Sequence, residues 1–326
     1  MTIGAVDHAL VDEEAGGTGG FITSYDDTVR TGTTMKATVI VDNTALYDGP
    51  LHAEHGFAIF IEAEGRKILF DTGYSDVVVR NAERLGIDLL DLDAIVLSHG
   101  HNDHTGGLYH LLRLYIEAAM EGTAHRLPRL VGHPLCLQPR PKPPLADIGP
   151  LLDEETVRRV LPVEFTAGPL FLTPNLVYLG EIERRFPFEA FDPGARRIVM
   201  PGGRVEPDRL LDDTSLAYRS SEGLVVVTGC AHAGICNTIE YARRCCGEER
   251  VVDVIGGLHL REDGEKLQGT CAYLQGLFLP TLHACHCTSL LAKVALARAA
   301  PLAETGAGLQ LEYADRHLDP GAPPST

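Results

Sequence analysis

Three histidines and an aspartate fall within six residues of the chain. They are His99, His101, Asp103 and His104, spaced His-x-His-x-Asp-His. Imidazole and carboxylate groups are ligands that zinc and similar divalent metals accept. The His-x-His spacing puts two imidazoles on one side of an extended turn, and Asp103 and His104 can then serve a second metal beside the first. The pattern therefore predicts a site for one or two divalent metal ions, with zinc favoured and iron, manganese or magnesium as alternatives.

The neighbouring residues predict the elements that position this segment. Residues 94–97 form an apolar run that is typical of a buried strand. Residues 105–107, Thr-Gly-Gly, are small enough to let another backbone approach closely, and a helical pattern begins at Leu108. Open α/β sheets usually carry their chemistry at such strand ends. We therefore expect the histidine segment to line a cleft at the edge of a sheet.

Three later apolar runs also end in residues that can bind a metal. These runs are predicted as strands at 224–227, 251–255 and 277–282, and the residues that follow them are Cys230, His232, His259 and His286. Because strand ends on one side of a sheet converge, we expect these residues to meet the histidine segment in space.

The composition limits the class of protein. The chain has 326 residues, of which 44% are hydrophobic, and a formal net charge of −17. Binding of nucleic acid needs a basic surface, so this charge argues against it. The sequence contains neither the apolar run of a membrane span nor the pattern of a signal peptide. The 8 cysteines are then more typical of thiols than of a disulfide framework. We expect a cytoplasmic protein with a small-molecule substrate, and the sequence leaves the oligomeric state open.

The chain is predicted to form one domain over residues 35–315. Residues 1–34 lack periodicity and predict a flexible tail, and residues 316–326 predict a disordered C-terminal tail. Prolines are dense in 134–150, which predicts a long loop over the mouth of the site. The irregular segment 181–209 is rich in arginine. It is either a solvated insertion or a loop whose arginines bind an anionic group of the substrate.

The histidine segment, with its preceding strand and its Gly-Gly turn, resembles the metallo-β-lactamase superfamily. The resemblance covers about residues 36–315. It implies an α/β fold, a four-layer αβ/βα sandwich with two mixed β-sheets and one or two metals between the sheet edges. Residues 228–234, 256–260 and 285–288 further resemble a subgroup of metal-dependent hydrolases related to 7,8-dihydropterin-6-yl-methyl-4-(β-D-ribofuranosyl)aminobenzene 5′-phosphate synthase.

The resemblance implies metal ligands among these residues. The four residues of the histidine segment match the signature without departure, and His286 stands where the last metal histidine is expected. His232 or Cys230 falls where the superfamily usually has a bridging aspartate. The subgroup phrase ends in His-x-Gly, which opens His232 toward the cleft. We therefore expect His232 to bind metal and Cys230 to pack beneath it, with the thiolate as the alternative ligand.

The resemblance also implies supporting residues. Asp71, at the end of a strand predicted over 66–70, would orient the histidines by hydrogen bonding. The superfamily's middle metal histidine has no histidine counterpart here, and Asp213 is the nearest candidate. His259 is an additional strand-end histidine. Thr288 begins a predicted helix whose N–H groups could take a phosphate.

Three functions are compatible with these residues. The first is a metal-dependent hydrolase in which metal-activated water attacks an ester, lactone or phosphoester, with Asp103 accepting the proton of the water. The second is a transferase of the pterin-linked synthase type, acting on a phosphorylated substrate. The third is a non-enzymatic metal-bound sensor domain. Turnover of phosphoesters with water alone, against a need for a pterin co-substrate, separates the first two.

Overall fold

The structure is a computed structural model that describes residues 34–316. Its strands are β1 (Thr34–Val41), β2 (Ala58–Ala63), β3 (Arg66–Phe70), β4 (Ala94–Val96), β5 (Arg129–Gly132), β6 (Val163–Phe165), β7 (Leu170–Phe171), β8 (Leu176–Tyr178), β9 (Arg197–Val199), β10 (Val205–Pro207), β11 (Ser215–Arg219), β12 (Leu224–Thr228), β13 (Val251–Gly257), β14 (Thr281–Cys285) and β15 (Gln310–Ala314). Its α-helices are α1 (Val77–Leu85), α2 (Asn102–Thr105), α3 (Leu108–Glu121), α4 (Glu154–Arg158), α5 (Ile235–Cys246), α6 (Glu265–Leu277) and α7 (Leu290–Leu296). Single 3₁₀ turns cover Leu89–Asp91 and Pro187–Glu189.

Most strands belong to two large mixed sheets. The first sheet has the order β15-β1-β2-β3-β4-β5-β6, antiparallel from β15 to β3 and parallel from β3 to β6. The second has the order β14-β13-β12-β11-β8-β7, in which β12, β13 and β14 are parallel and the remaining pairs are antiparallel. The central parallel strands β12 and β13 are buried along their whole length and are mostly apolar, as expected for strands covered on both faces.

Apolar side chains join the sheets to each other and to the helices. Along β2, Ile59 and Ile61 face the second sheet, whereas Ala58 and Phe60 pack with the helices on the other side, as the two-residue period of a strand requires. Full burial of each such large side chain contributes about 1.5–3 kcal/mol. Helices α1 and α3 cover the first sheet, and α5, α6 and α7 cover the second. The result is the expected four-layer αβ/βα sandwich.

Two segments differ from the sequence-based prediction. The strand predicted over 277–282 begins too early, because Leu277 ends α6 and the strand is Thr281–Cys285. One apolar run contains both the end of the helix and the start of the strand, and its hydrophobic pattern does not show where the helix ends. The segment 181–209 was predicted as irregular but contains β9 and β10, which pair as a two-stranded sheet.

The predicted tails fall almost entirely on residues 1–33 and 317–326, which lie outside the described residues. Thr34, assigned to the N-terminal tail, is the first residue of β1. The single domain over 35–315 stays a prediction. In the described part of the chain, no helix combines the length and apolar character that crossing a membrane requires.

Candidate metal centre

Four strand ends meet between the two sheets. Strands β4, β12, β13 and β14 lead into the segments that carry the predicted ligands. Residues with positive φ redirect the chain at the ends of β3, β12, β13 and β14, and they are Asp71 (60°), Ala231 (52°), His259 (45°) and His286 (48°). Left-handed backbone is strained for residues other than glycine, and such strain clusters at functional sites.

Three imidazoles form the first ligand group, which we call the triad: His99, His101 and His232. Their facing ligand atoms lie within 4.8 Å of one another. The His99 Nε2 and His101 Nδ1 atoms are 2.9 Å apart, and the ring of His232 lies 4.8 Å from that of His99 and 4.9 Å from that of His101, centre to centre. Burial lowers the pKa of all three rings well below the usual value, so the rings are neutral at pH 7.

The triad fits a divalent metal. Both ring nitrogens of His232, and Nε2 of His101, are buried without a hydrogen-bond partner among the described residues. An unpaired buried polar group costs about 1–3 kcal/mol, so such groups are rare unless something else satisfies them. A shared cation would take one nitrogen from each ring, and three histidines are a known zinc-binding set.

A second ligand group, Asp103, His104 and His286, lies beside the triad. Asp103 Oδ2 is 3.4 Å from His286 Nε2 and 3.8 Å from His104 Nε2, and the two Nε2 atoms are 3.2 Å apart. Helix α2 carries Asp103 and His104 directly after the extended His101. Burial opposes ionisation of Asp103, but His104 and His286 hold its pKa well below its usual range. These atoms converge closely enough to share a second ion.

Asp71 orients the second group by a hydrogen bond to His104. Its Oδ2 lies 2.7 Å from His104 Nδ1, which turns His104 Nε2 toward the site. Its Oδ1 accepts the backbone N–H of Ser98, and its Oδ2 accepts the Ser98 hydroxyl. Burial disfavours the charged form of His104, but the carboxylates of Asp71 and Asp103 outweigh it and raise the pKa of His104 to about 9. A carboxylate behind a histidine is the usual way to orient a metal ligand.

Some residues of each ligand group border one cavity of about 790 Å³. His101, Asp103, His232 and His286 reach it from the sheet edges, and Tyr74 and Leu145 add apolar surface. The loop 134–150, predicted over the mouth of the site, contributes Leu145 and other lining residues. The cavity is large enough for a small organic molecule.

Comparison with known proteins agrees with this architecture. The sequence profile of the metallo-beta-lactamase superfamily matches residues 53–245. The 7,8-dihydropterin-6-methyl-4-(beta-D-ribofuranosyl)-aminobenzene-5'-phosphate synthase of Methanocaldococcus jannaschii is 31% identical over 268 residues, which cover 79% of this chain and 89% of that protein. The chain belongs to the metallo-β-lactamase superfamily.

Two further proteins extend the likeness within the metallo-β-lactamase superfamily. An uncharacterised protein of the same archaeon is 30% identical over 230 residues, covering 68% of this chain and 78% of that protein. The crystal structure of Tm1679, a metal-dependent hydrolase of the β-lactamase superfamily, matches with a TM-score of 0.71 and 28% identity, covering 86% of this chain and all of that one. Membership of the superfamily implies a divalent metal and supports an enzymatic role.

Cys230 lies between the two ligand groups. Cys230 was expected to pack beneath His232, but the Cys230 Sγ atom lies 3.2 Å from His104 Nε2. The thiol also lies within 4.8 Å of ring nitrogens of His99 and His286. This is the region in which the superfamily usually carries its bridging aspartate, so the thiol and His232 do not compete for one place.

Asp213 belongs to none of the groups of described residues that could hold a metal. It was the nearest candidate for the superfamily's middle metal histidine, but its Oδ2 accepts the backbone N–H of Ala233 at 2.9 Å. Burial raises its pKa to about 7. His232 occupies the place beside His99 and His101 instead. Asp213 was proposed because of its position along the chain. The loop after β12 instead places His232 beside His99 and His101.

His259 and Thr288 border the ligands. The ring of His259 lies 4.3 Å from that of His232, centre to centre. Burial, with Arg261 and Lys266 nearby, lowers the pKa of His259 to about 3. The Thr288 hydroxyl accepts the backbone N–H of Leu258 at 3.0 Å. Thr288 therefore holds the loop of His259, and the short helix α7 after it is capped by the side chain of Ser289.

Sequence reasoning missed three side chains of the site. His55 Nε2 lies 3.1 Å from Asp103 Oδ2 at the lip of the cavity, and this hydrogen bond raises the pKa of His55 against the opposing effect of burial. Asn43 Oδ1 lies 2.9 Å from His286 Nδ1 and orients that ring. Both residues stood in segments that resembled ordinary turns.

The third missed side chain is Arg140, from the proline-dense loop. Its guanidinium is fully buried, 2.6 Å from Asp208 Oδ2 and 2.6 Å from Asp212 Oδ2. Asp212 also accepts the backbone N–H of Gly100 at 2.8 Å. A Cβ at Gly100 would collide with the Cys136 carbonyl, which explains the glycine between the two histidines. Arg140 thus supports the histidine segment from behind.

Proposed function

We propose that the protein is a metal-dependent hydrolase that cleaves an ester, lactone or phosphoester bond of a small molecule with water. The observation that supports this most directly is the pair of facing ligand groups at one cavity. The triad offers unpaired buried nitrogens, and the second group adds a carboxylate and two further imidazoles. Similarity to a metal-dependent hydrolase at 28% identity points the same way.

In this proposal, each ligand group holds one divalent ion, with zinc favoured. His99, His101 and His232 hold the first, and Asp103, His104 and His286 hold the second, with Cys230 between them. Bound metal supplies Lewis-acid activation of the attacking water and of the oxygen of the scissile group. Asp71 and Asn43 keep the rings of His104 and His286 in the binding orientation.

We further propose that Asp103 takes up the proton of the attacking water. Its carboxylate faces the cavity and lies 3.1 Å from His55 Nε2. The side chain of His55 is 63% exposed, so it can exchange protons with solvent. The pair Asp103 and His55 therefore connects the reacting region to bulk water.

The alternative is a transferase of the dihydropterin-linked synthase type. It is favoured by the 31% identical relative, whose name describes a synthase of a ribofuranosyl 5′-phosphate product. The same ligand groups serve both reactions, and the difference lies in whether water or an organic co-substrate attacks.

The test is to measure metal content of the purified chain and to screen esters, lactones and phosphoesters with water as the only co-substrate. We expect between one and two metal ions per chain and turnover that chelation abolishes. Turnover that requires a pterin co-substrate would replace the hydrolase with the transferase. Bound metal without turnover of either kind would favour a sensor domain.

A further inference from the structure

Three cationic side chains reach the cavity from three separate segments. They are Lys142 in the proline-dense loop, Arg196 just before β9 and Arg261 after β13, and we call them the basic rim. They line the same cavity as His101, Asp103 and His286. The chain carries a formal net charge of −17. Convergence of three cations at the cavity beside the metal centre therefore contrasts with the negative overall charge of the protein.

None of the basic rim residues forms an ion pair within residues 34–316. Asp147 also lines the cavity, but its Oδ1 accepts the backbone N–H groups of Arg140 and Gly149. One oxygen of this carboxylate thus bonds within its own loop, and Asp147 forms no ion pair with the rim. The positive charge of the rim stays available to a ligand.

Other arginines of the segment 181–209 are used differently. Arg184 donates to the carbonyl oxygens of Arg209 and Leu210, and Arg197 donates to those of Gly194 and Arg196. Two others form ion pairs: Arg185 pairs with Glu183 at 2.9 Å and Arg204 with Glu206 at 2.6 Å. Of the arginines predicted to bind an anion or to be solvated, Arg196 is the one that lines the cavity.

The rim residues lie close enough to affect one another. Burial, followed by the charges of Arg196 and Arg261, lowers the pKa of Lys142. The guanidinium of Arg196 lies 5.5 Å from the centre of the Phe191 ring, which holds it at the cavity. Like charges brought together without a counter-charge repel one another. An anionic ligand relieves this repulsion, which favours a ligand with more than one negative charge.

The rim lies next to the metal centre and is separate from it. His259 stands between them: its ring is 4.3 Å from that of the triad residue His232, and Arg261 follows it by two residues along the chain. Arg196 and Arg261 both act on the charge of His259. A cavity of about 790 Å³ has room for one end of a small molecule at the rim and another at the metals.

We propose that Lys142, Arg196 and Arg261 bind a phosphate group of the substrate that is held and not cleaved. This inference rests on the proposed function, because it places the scissile bond at the metal centre. Guanidinium groups match phosphate oxygens in pairs, and a lysine adds a point charge. The substrate class is therefore a phosphorylated small molecule, such as a sugar phosphate, whose reacting bond lies away from its phosphate.

The test compares ribose 5-phosphate with ribose by isothermal titration calorimetry on the metal-loaded, full-length chain. We expect ribose 5-phosphate to bind more tightly than ribose. Arg196→Ala, Arg261→Ala and Lys142→Ala should each weaken its binding by about 10-fold or more, as loss of a charged hydrogen bond does. Metal content should stay unchanged. Arg204→Ala, an exposed arginine of the same segment, is the matched control and should bind like the wild type.

Two outcomes would overturn the inference. In the first, ribose 5-phosphate binds no better than ribose. In the second, the three variants bind it like the wild type while His101→Ala does not, which places the phosphate on the metals.

Turnover of a non-phosphorylated ester or lactone separates this inference from the proposed function. If the rim variants keep that turnover and lose phosphate binding, both the proposed hydrolase function and the phosphate site are supported. If the wild type has neither metal nor turnover but binds ribose 5-phosphate through the rim, the proposed hydrolase function is wrong and the phosphate site at the basic rim is supported.

Discussion

The two ligand groups of the metal centre differ in how their histidine rings are hydrogen-bonded. In the triad, His99 Nδ1 lies 2.9 Å from the Ser98 hydroxyl, but neither ring nitrogen of His232 has a hydrogen-bond partner within residues 34–316. Burial is the largest cause that lowers the pKa of the His232 ring. In the second group, His104 and His286 each have a partner behind the ring, Asp71 and Asn43 respectively. A cation can therefore satisfy the unpaired ring nitrogens of the triad, whereas His104 and His286 in the second group each already have one ring nitrogen hydrogen-bonded. We expect metal affinity of the second group to depend on these partners more than that of the triad does.

The largest effect is expected for His101→Ala. Removal of a triad ligand should cost more than the 10–100-fold in metal affinity that is typical of changes behind a ligand. Bound metal and turnover should disappear together, as measured by elemental analysis after dialysis and by activity on the same samples. His125→Ala is the control, because this imidazole bonds to the carbonyl of Thr123 and belongs to neither ligand group. Full metal content and turnover in His101→Ala would show that the triad is not a metal site.

A pair of substitutions separates the groups directly. His232→Ala should empty the triad, with a loss of affinity similar to that of His101→Ala. Cys230→Ser should leave the triad filled and weaken the second ion, because the thiol lies against His104 Nε2. Titration with cobalt(II), followed by its absorption spectrum, reports both sites and any thiolate ligand. Should Cys230→Ser lose all metal while His232→Ala keeps it, the assignment of His232 is wrong.

A smaller effect is expected for Asp71→Asn. The carboxylate orients His104, so its loss should weaken the second ion by about 10–100-fold and leave the triad ion in place. Metal stoichiometry at limiting metal concentration measures this. Asp253→Asn is a matched control, because Asp253 is also buried and contacts a histidine, His283, at 2.8 Å outside the ligand groups. Equal loss of metal in both variants would point to a general loss of stability.

The smallest effect is expected for Asn43→Ala. A neutral amide behind His286 orients the ring less strongly than a carboxylate does, so affinity for the second ion should fall by about 10-fold. Asn43→Asp should bind at least as tightly as the wild type, since a carboxylate raises the basicity of the ligand. Weaker binding by Asn43→Asp than by Asn43→Ala would contradict this role.

The elements that carry the site could be predicted because their signals are local. The apolar run 94–97, the small residues after the histidine segment and the helical pattern from Leu108 are all read over short distances. The observed strand Ala94–Val96 and helix Leu108–Glu121 agree with them. The short strands β9 and β10 were missed because three residues are too few to show a period.

The supporting side chains could not be predicted because their partners are distant in sequence. Arg140 pairs with Asp212 across 72 residues, and Asn43 meets His286 across 243. Each of them stands in a segment that reads as a loop. A buried arginine in a proline-dense loop has no local signal, since its burial depends on carboxylates that another part of the chain brings to it.

The sequence by itself determined which ligand types the protein has and that they follow buried strands, because spacing and hydrophobic runs are properties of neighbouring residues. Tertiary structure alone decided how the ligands group. Cys230 meets His104 across 126 residues, and His104 meets His286 across 182. Those contacts depend on how two sheets pack face to face, and that packing sets His232, rather than Asp213, beside His99 and His101.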